Sequence, residues 1–218
     1  MADTNHRMTT SDHSSQASTI RLLYCGASAP FVFWVTTFVC GFLLGDYNHL
    51  HQMVSALGTI GKSSQFLFTA GLVVCSTLSV LFIFGLKRIC QRTMLSTIPV
   101  WLILSYSFSI AGAGLFPLPL RLHLILGMPS ILLILSPLAA LLLWPKTGFL
   151  SHLKAAACIS ITIMALGFLA FLPAILGPFL GLKQRFFHLG WGIWFVYLSI
   201  IFIGTAKGHQ RERTSVHA

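Results

Sequence analysis

Six stretches of the chain, each close to the length that crosses a bilayer, contain no Asp, Glu, Lys or Arg. They run 27–45, 66–86, 95–116, 122–144, 155–177 and 186–206, and every charged residue falls between or beyond them. A hydrocarbon core of about 30 Å is spanned by about 20 apolar residues of helix. Inside it no water satisfies backbone N–H and C=O groups, so only helices and closed barrels are admissible. Barrel strands alternate apolar and polar residues. These blocks are apolar throughout, and six helices follow.

Composition closes off the other classes. Charged residues make up 8% of the chain, against roughly 25% in an average soluble domain. Disordered, collagen-like and disulfide-rich secreted chains are excluded. The net charge of +10 does not point to nucleic acid, because the cations sit at the edges of apolar blocks, where they set topology. The expected partner is the lipid bilayer.

The reading is therefore an all-α, polytopic integral membrane protein, with one six-helix transmembrane domain at 23–206. Residues 1–22 have the composition of a disordered tail, and 207–218 form a basic tail. No cleavable signal peptide is visible, so the first span serves as its own insertion signal. An even number of spans puts both termini on one side. If that side is the cytoplasm, it holds Arg7, Arg21, Lys87, Arg88, Arg92, Lys146, Lys154, Lys207, Arg211 and Arg213. Only Lys62, Arg121, Lys183 and Arg185 are then outside, which favours cytoplasmic termini. Trp34, Trp101, Trp144, Trp191 and Trp194 read as interfacial anchors. Between the first two spans, Leu50, Met53, Val54, Leu57 and Ile60 recur at helical spacing, which predicts a short amphipathic helix at the outer interface.

The acids restrict the chemistry. Asp3, Asp12, Asp46 and Glu212 are the whole set, and none lies in a span. Carriers driven by protons or sodium commonly use intramembrane carboxylates, and paired-carboxylate catalysis at the outer face needs two acids where only Asp46 is expected. Neither is available. Phosphate loops, HExxH and nucleophile elbows are absent as well. The five cysteines include no CxxC pair and imply no disulfide framework. Cys90, beside Lys87, Arg88 and Arg92, is a candidate for S-palmitoylation.

Three polar stretches converge on the outer side: Tyr47, His49, His51, Gln52 and Ser55; then Arg121 and His123; then Lys183, Arg185 and His188. His49, Gln52, Ser55, Arg121, His123, Arg185 and His188 are the candidates for contact with a small polar ligand or a lipid headgroup. Each has a plainer alternative. The histidines can bond loop carbonyls, and Arg185 either snorkels to headgroups or turns inward beside His123 and the Asn48–Ser55 loop. Zinc on His49, His51, His123 and His188 lacks any recognised ligand spacing. Haem on His123 and His188 would sit at span ends. No metal or cofactor is expected, and no catalytic residue is assigned. Ser105, Ser109 and Gly112 share one face of span three and read as a packing strip.

The same stretches carry a family resemblance. They read NHLHQMVSALG at 48–58, GLFPLPLRLH at 114–123 and GLKQR at 181–185. The order N-H-x-x-Q-x-x-S-x-L-G, then G-x-F-P with a following His, then G-L-x-x-R, resembles the six-span bacterial family known as domain of unknown function 998. It is similar, more distantly, to the six-span Frag1/DRAM/Sfk1 membrane proteins. The resemblance covers about 22–206 and implies a multi-pass protein of the bacterial inner or plasma membrane. Two positions depart from the family pattern, which often has acids where Ala56 and the Leu118–Pro119 pair stand. The family carries no established activity. The expected function is binding of a polar or anionic ligand at the outer face; the alternatives are a small transporter or channel, and a metal-dependent hydrolase using the outer histidines.

Overall fold

The computed structural model describes the backbone of residues 2–146 and 148–216 and the side chains of 15–146 and 148–208. It contains eight α-helices and no strand among the described residues. These are α1 (Ala2–Leu44), α2 (Gln65–Arg92), α3 (Ile98–Trp101), α4 (Ile103–Leu115), α5 (Arg121–Gly127), α6 (Leu135–Leu143), α7 (Leu153–Gly167) and α8 (Leu180–Val216). With their 3-10 turns they make six spans: Ser15–Leu44, Gln65–Arg92, Ile98–Leu115, Arg121–Leu143, Gly148–Phe171 and Leu180–Gly208. The expected count of six holds. This is a multi-pass membrane protein.

The spans close into a ring in chain order. α1 packs on α2, α2 on α4, α4 on α5 and the 3-10 segment Met128–Ile134, α6 on α7, α7 on α8, and α8 back on α1. Lipid tails are as apolar as the helices, so association in a bilayer rests on close packing rather than on expulsion of water. The ring's middle is filled with aromatic side chains. Tyr106 lies 4.5 Å from Trp191 between ring centroids, Trp191 5.1 Å from Phe195, and Phe82 5.4 Å from Phe195. Such pairs each add about 0.5–1.5 kcal/mol beyond burial. Elsewhere small residues bring backbones together. A Cβ on Gly190 would stand 2.6 Å from Met164 and 2.9 Å from the Ser160 carbonyl of α7.

Several expectations about detail need correction. Of the tail expected at 1–22, the side chains of 1–14 lie outside the described residues, whereas 15–22 continue span one as helix with Thr19 wholly buried. Residues 209–218 of the basic tail also lie outside the described side chains. α2 runs on through the KRICQR segment, where Arg88 and Arg92 donate to Ser18 and Ser15 of α1. Cys90 is wholly buried there and offers no surface for acylation. Trp191 and Trp194 are core residues at 0% exposure, and Trp144 is buried with its indole N–H on the Ser96 carbonyl. α8 begins at Leu180, so Lys183 and Arg185 are helical and buried rather than loop residues.

The amphipathic helix expected in 46–65 is reduced to a single 3-10 turn, Val54–Gly58, that buries Val54 and Leu57. The polar residues between the apolar ones explain the difference. Asn48 Oδ1 accepts the N–H groups of Leu50 and His51, and Gln52 Oε1 accepts that of Asn48. The side chains thus hold the backbone in turns instead of an i→i−4 ladder.

Candidate functional site

One end of the bundle carries the 45–64 loop and the 172–179 loop; the other carries both termini. At the loop end the first polar stretch is locked onto the start of α8. A helix begins with N–H groups that have no partner in the helix. Here Gly181 N–H donates to the His51 carbonyl and Leu182 N–H to that of Leu50. This approach requires glycine at 181, because a Cβ there would stand 2.2 Å from the Gln52 carbonyl oxygen and 2.7 Å from that of His49. Arg185, one turn further on, shares that face.

Its guanidinium reaches into the loop from below. Nη1 donates to the carbonyls of Gln52 at 3.2 Å and Gly181 at 3.0 Å. Nη2 donates to Tyr47 Oη at 2.9 Å and His49 Nδ1 at 2.9 Å. None of these partners is an acid. Tyr47 passes the order on, donating to the carbonyls of Gln52 and Met53. Burial pushes the Tyr47 hydroxyl up from its ordinary value, against the opposing pull of Arg185. Burial, and after it the Arg185 charge, holds the His49 imidazole below its ordinary range. Both therefore serve the clamp as neutral groups. The imidazole of His51 sits 2.8 Å from the Pro178 carbonyl and stacks on Phe179, tying this loop to the other. Lys183, 1% exposed, donates to the Leu172 carbonyl.

Beneath the clamped loop lies a cavity of about 210 Å³, bounded by α1, α2, α4, span four and α8. Most of its wall is apolar, including Phe33, Phe68, Leu72 and Ile110. Its polar lining is Ser55, Tyr106, Ser109, His123, Ser130, Gln184 and His188. The buried Tyr106 hydroxyl faces the Cys75 thiol of α2, and Ser109 Oγ is buried without a hydrogen-bond partner. Leaving such a group unmade costs about 1–3 kcal/mol. His123 Nδ1 lies 3.1 Å from the Ala113 carbonyl and 3.0 Å from that of Phe116, closing the end of α4. His188 Nδ1 accepts the Trp191 indole N–H at 3.1 Å. Gln184 Oε1 accepts the Val54 N–H.

The structure thus divides the sequence candidates into two groups. Arg185 and His49, with the Gln52 carbonyl, form the clamp; Ser55, His123 and His188 line the cavity. Arg121 belongs to neither and is exposed at the start of α5. Among the described residues no group of three or more His, Cys, Asp or Glu is placed to hold a metal ion. Sequence reasoning did not single out Tyr106, Ser130 or Gln184, which also line the cavity. A lone tyrosine at mid-span was the available signal.

This fold and site define a class: six-helix integral membrane bundles in which a polar loop, tied to the last helix by an arginine, roofs a cavity. Within that class the chain belongs to the family described as protein of unknown function (DUF998), whose model matches residues 27–201. The matched segment holds all three motifs, which here are the loop, the carbonyls capped by His123, and the Gly181–Arg185 turn. No curated protein and no solved structure matches the chain.

Proposed function

We propose that this protein is a membrane-embedded binding protein whose ligand occupies the cavity beneath the clamped loop, on the non-cytoplasmic side. One observation carries the reading: His123 and His188, each held through Nδ1 and with Nε2 unbonded among the described residues, line one apolar recess together with Gln184 and Ser130. Ligand sites are typically apolar recesses with a few placed polar groups, and this one has that composition. Lys183 and Arg185 are spent on carbonyls and the loop, and Arg121 lies exposed outside the cavity. A neutral ligand therefore fits better than an anionic one. A transport path would have to pass the aromatic plug around Tyr106, Trp191 and Phe195.

Accessible charge supports one orientation. Arg21, Lys87, Arg88, Arg92, Lys146, Lys154 and Lys207 lie at the termini end, whereas Lys62 and Arg121 are the exposed cations at the loop end. That asymmetry supports cytoplasmic termini in a plasma or bacterial inner membrane. The binding reading is tested by analysing small molecules that accompany the purified protein. A molecule enriched over bulk membrane lipid should accompany wild type and be lost from Ser109→Phe, which fills the cavity. Equal recovery from both would overturn it.

A further inference from the structure

The hydrogen-bond polarity of the cavity defines its ligand more closely. An indole N–H can only donate, so His188 Nδ1 is an acceptor, and the neutral ring carries its proton on Nε2. A carbonyl can only accept, so His123 Nδ1 carries the proton, and the neutral ring leaves Nε2 bare. No described residue is bonded to either Nε2. The cavity thus receives one donor, from His188, and one acceptor, from His123. A hydroxyl both donates and accepts; a carboxylate or phosphate dianion offers acceptors alone, and an ammonium donors alone. No Asp, Glu, Lys or Arg lines the space. Burying an unpaired charge in such surroundings is strongly unfavourable.

The walls indicate the route of entry. Leu124 and Met128 line the cavity, yet are 65% and 50% exposed on the membrane-facing surface of span four. The span is irregular at that point, changing from α5 to a 3-10 segment at Met128, with Pro129 following. The wall there is one side chain thick. Above, the loop is closed by the Arg185 clamp.

We propose that the cavity takes an uncharged lipid bearing a free hydroxyl, of the diacylglycerol or long-chain alcohol type, admitted sideways from the bilayer past Leu124 and Met128. This rests on the binding reading above. The hydroxyl sits between His188 and His123, and the chain follows the apolar wall toward Phe33 and Ile110.

Three dioctanoyl or trioctanoyl probes that differ in one group test it: dioctanoylglycerol, dioctanoyl phosphatidic acid and trioctanoylglycerol. Each is titrated into the full-length protein in detergent while the melting temperature is followed. Dioctanoylglycerol should give a saturable rise, and the other two should not. His188→Phe should weaken half-saturation about tenfold, as for one lost buried hydrogen bond. His188→Gln keeps a donor and should restore most of it. If His188→Phe does not fold, His123→Phe, which removes the acceptor, serves instead. Leu124→Trp should slow uptake without changing its end point. A stronger response to phosphatidic acid than to dioctanoylglycerol would overturn the neutral-hydroxyl assignment and leave the binding reading standing. Equal response to trioctanoylglycerol would overturn the role of the histidine pair. No response to any probe would overturn the ligand class, and loss of the accompanying molecule in Ser109→Phe remains the separate measure of binding itself.

Discussion

Replacing Arg185 with lysine keeps the charge and removes the fork, which makes it the most informative single change at the loop end. The guanidinium reaches Gln52 O, Tyr47 Oη and His49 Nδ1 on the loop, and Gly181 O on its own helix. An ammonium is a point donor on a flexible stem and cannot serve these directions together. With two of the three loop bonds lost at about 1.5 kcal/mol each, the gross effect is about 3 kcal/mol. Tyr47 and His49 are half-buried and regain water, so the net loss should be about 2 kcal/mol. Arg185→Met, which leaves no donor, should lose more. Reversible unfolding in mixed micelles gives the stability. A reporter thiol in Met53→Cys, read by its rate of labelling, gives the loop directly. Arg185→Lys should melt earlier and label faster, while Lys62→Arg on the exposed loop should do neither. Unchanged melting and unchanged labelling in Arg185→Lys would refute the clamp.

Gly181→Ala should open the same loop, because its Cβ meets two backbone oxygens that have no flexible side chain to yield; Gly204→Ala, with nothing near its Cβ, should instead gain up to about 1 kcal/mol of helix propensity, both read from unfolding curves. The clamp should loosen in acid: His49 is held below its ordinary 6.5, so the folded loop favours the neutral ring. Its contribution is complete above that ordinary value and is lost as pH falls through the depressed one; loop labelling against pH should show this and His49→Gln should flatten it. Met94 ends α2 in the left-handed region at φ 55 while Leu95 N–H caps the Cys90 carbonyl, so Met94→Gly should stabilise by about 1 kcal/mol in the same unfolding assay.

The spans were legible because a charge-free run of this length has one low-energy solution in a bilayer. Their ends were less so. Hydropathy placed the start of the last span after Arg185, since it counts Lys183 and Arg185 as polar without knowing that carbonyls wait for them. The loop misled in the opposite way: Leu50, Val54 and Leu57 have helical spacing, but the carbonyls that a helix would use are taken by α8 and Arg185. Tryptophans near span ends suggested anchors, yet Trp191 and Trp194 face inward, where His188 and Ser136 accept their N–H groups. The motif residues lie together at the loop end. Their division into clamp and cavity wall was not readable, because it depends on which turn of α8 meets which loop carbonyl. Tyr106 was invisible for a related reason: what its side chain meets, the Cys75 thiol among others, depends on how α4 packs on α2.

An experimental density map of the protein in nanodiscs of its native lipid tests the central claim most directly. The account predicts an elongated density beneath the 45–64 loop, with one end within hydrogen-bond distance of His123 and His188 and the rest along Phe33 and Ile110. A collapsed cavity, with no density between the two histidines, would contradict it.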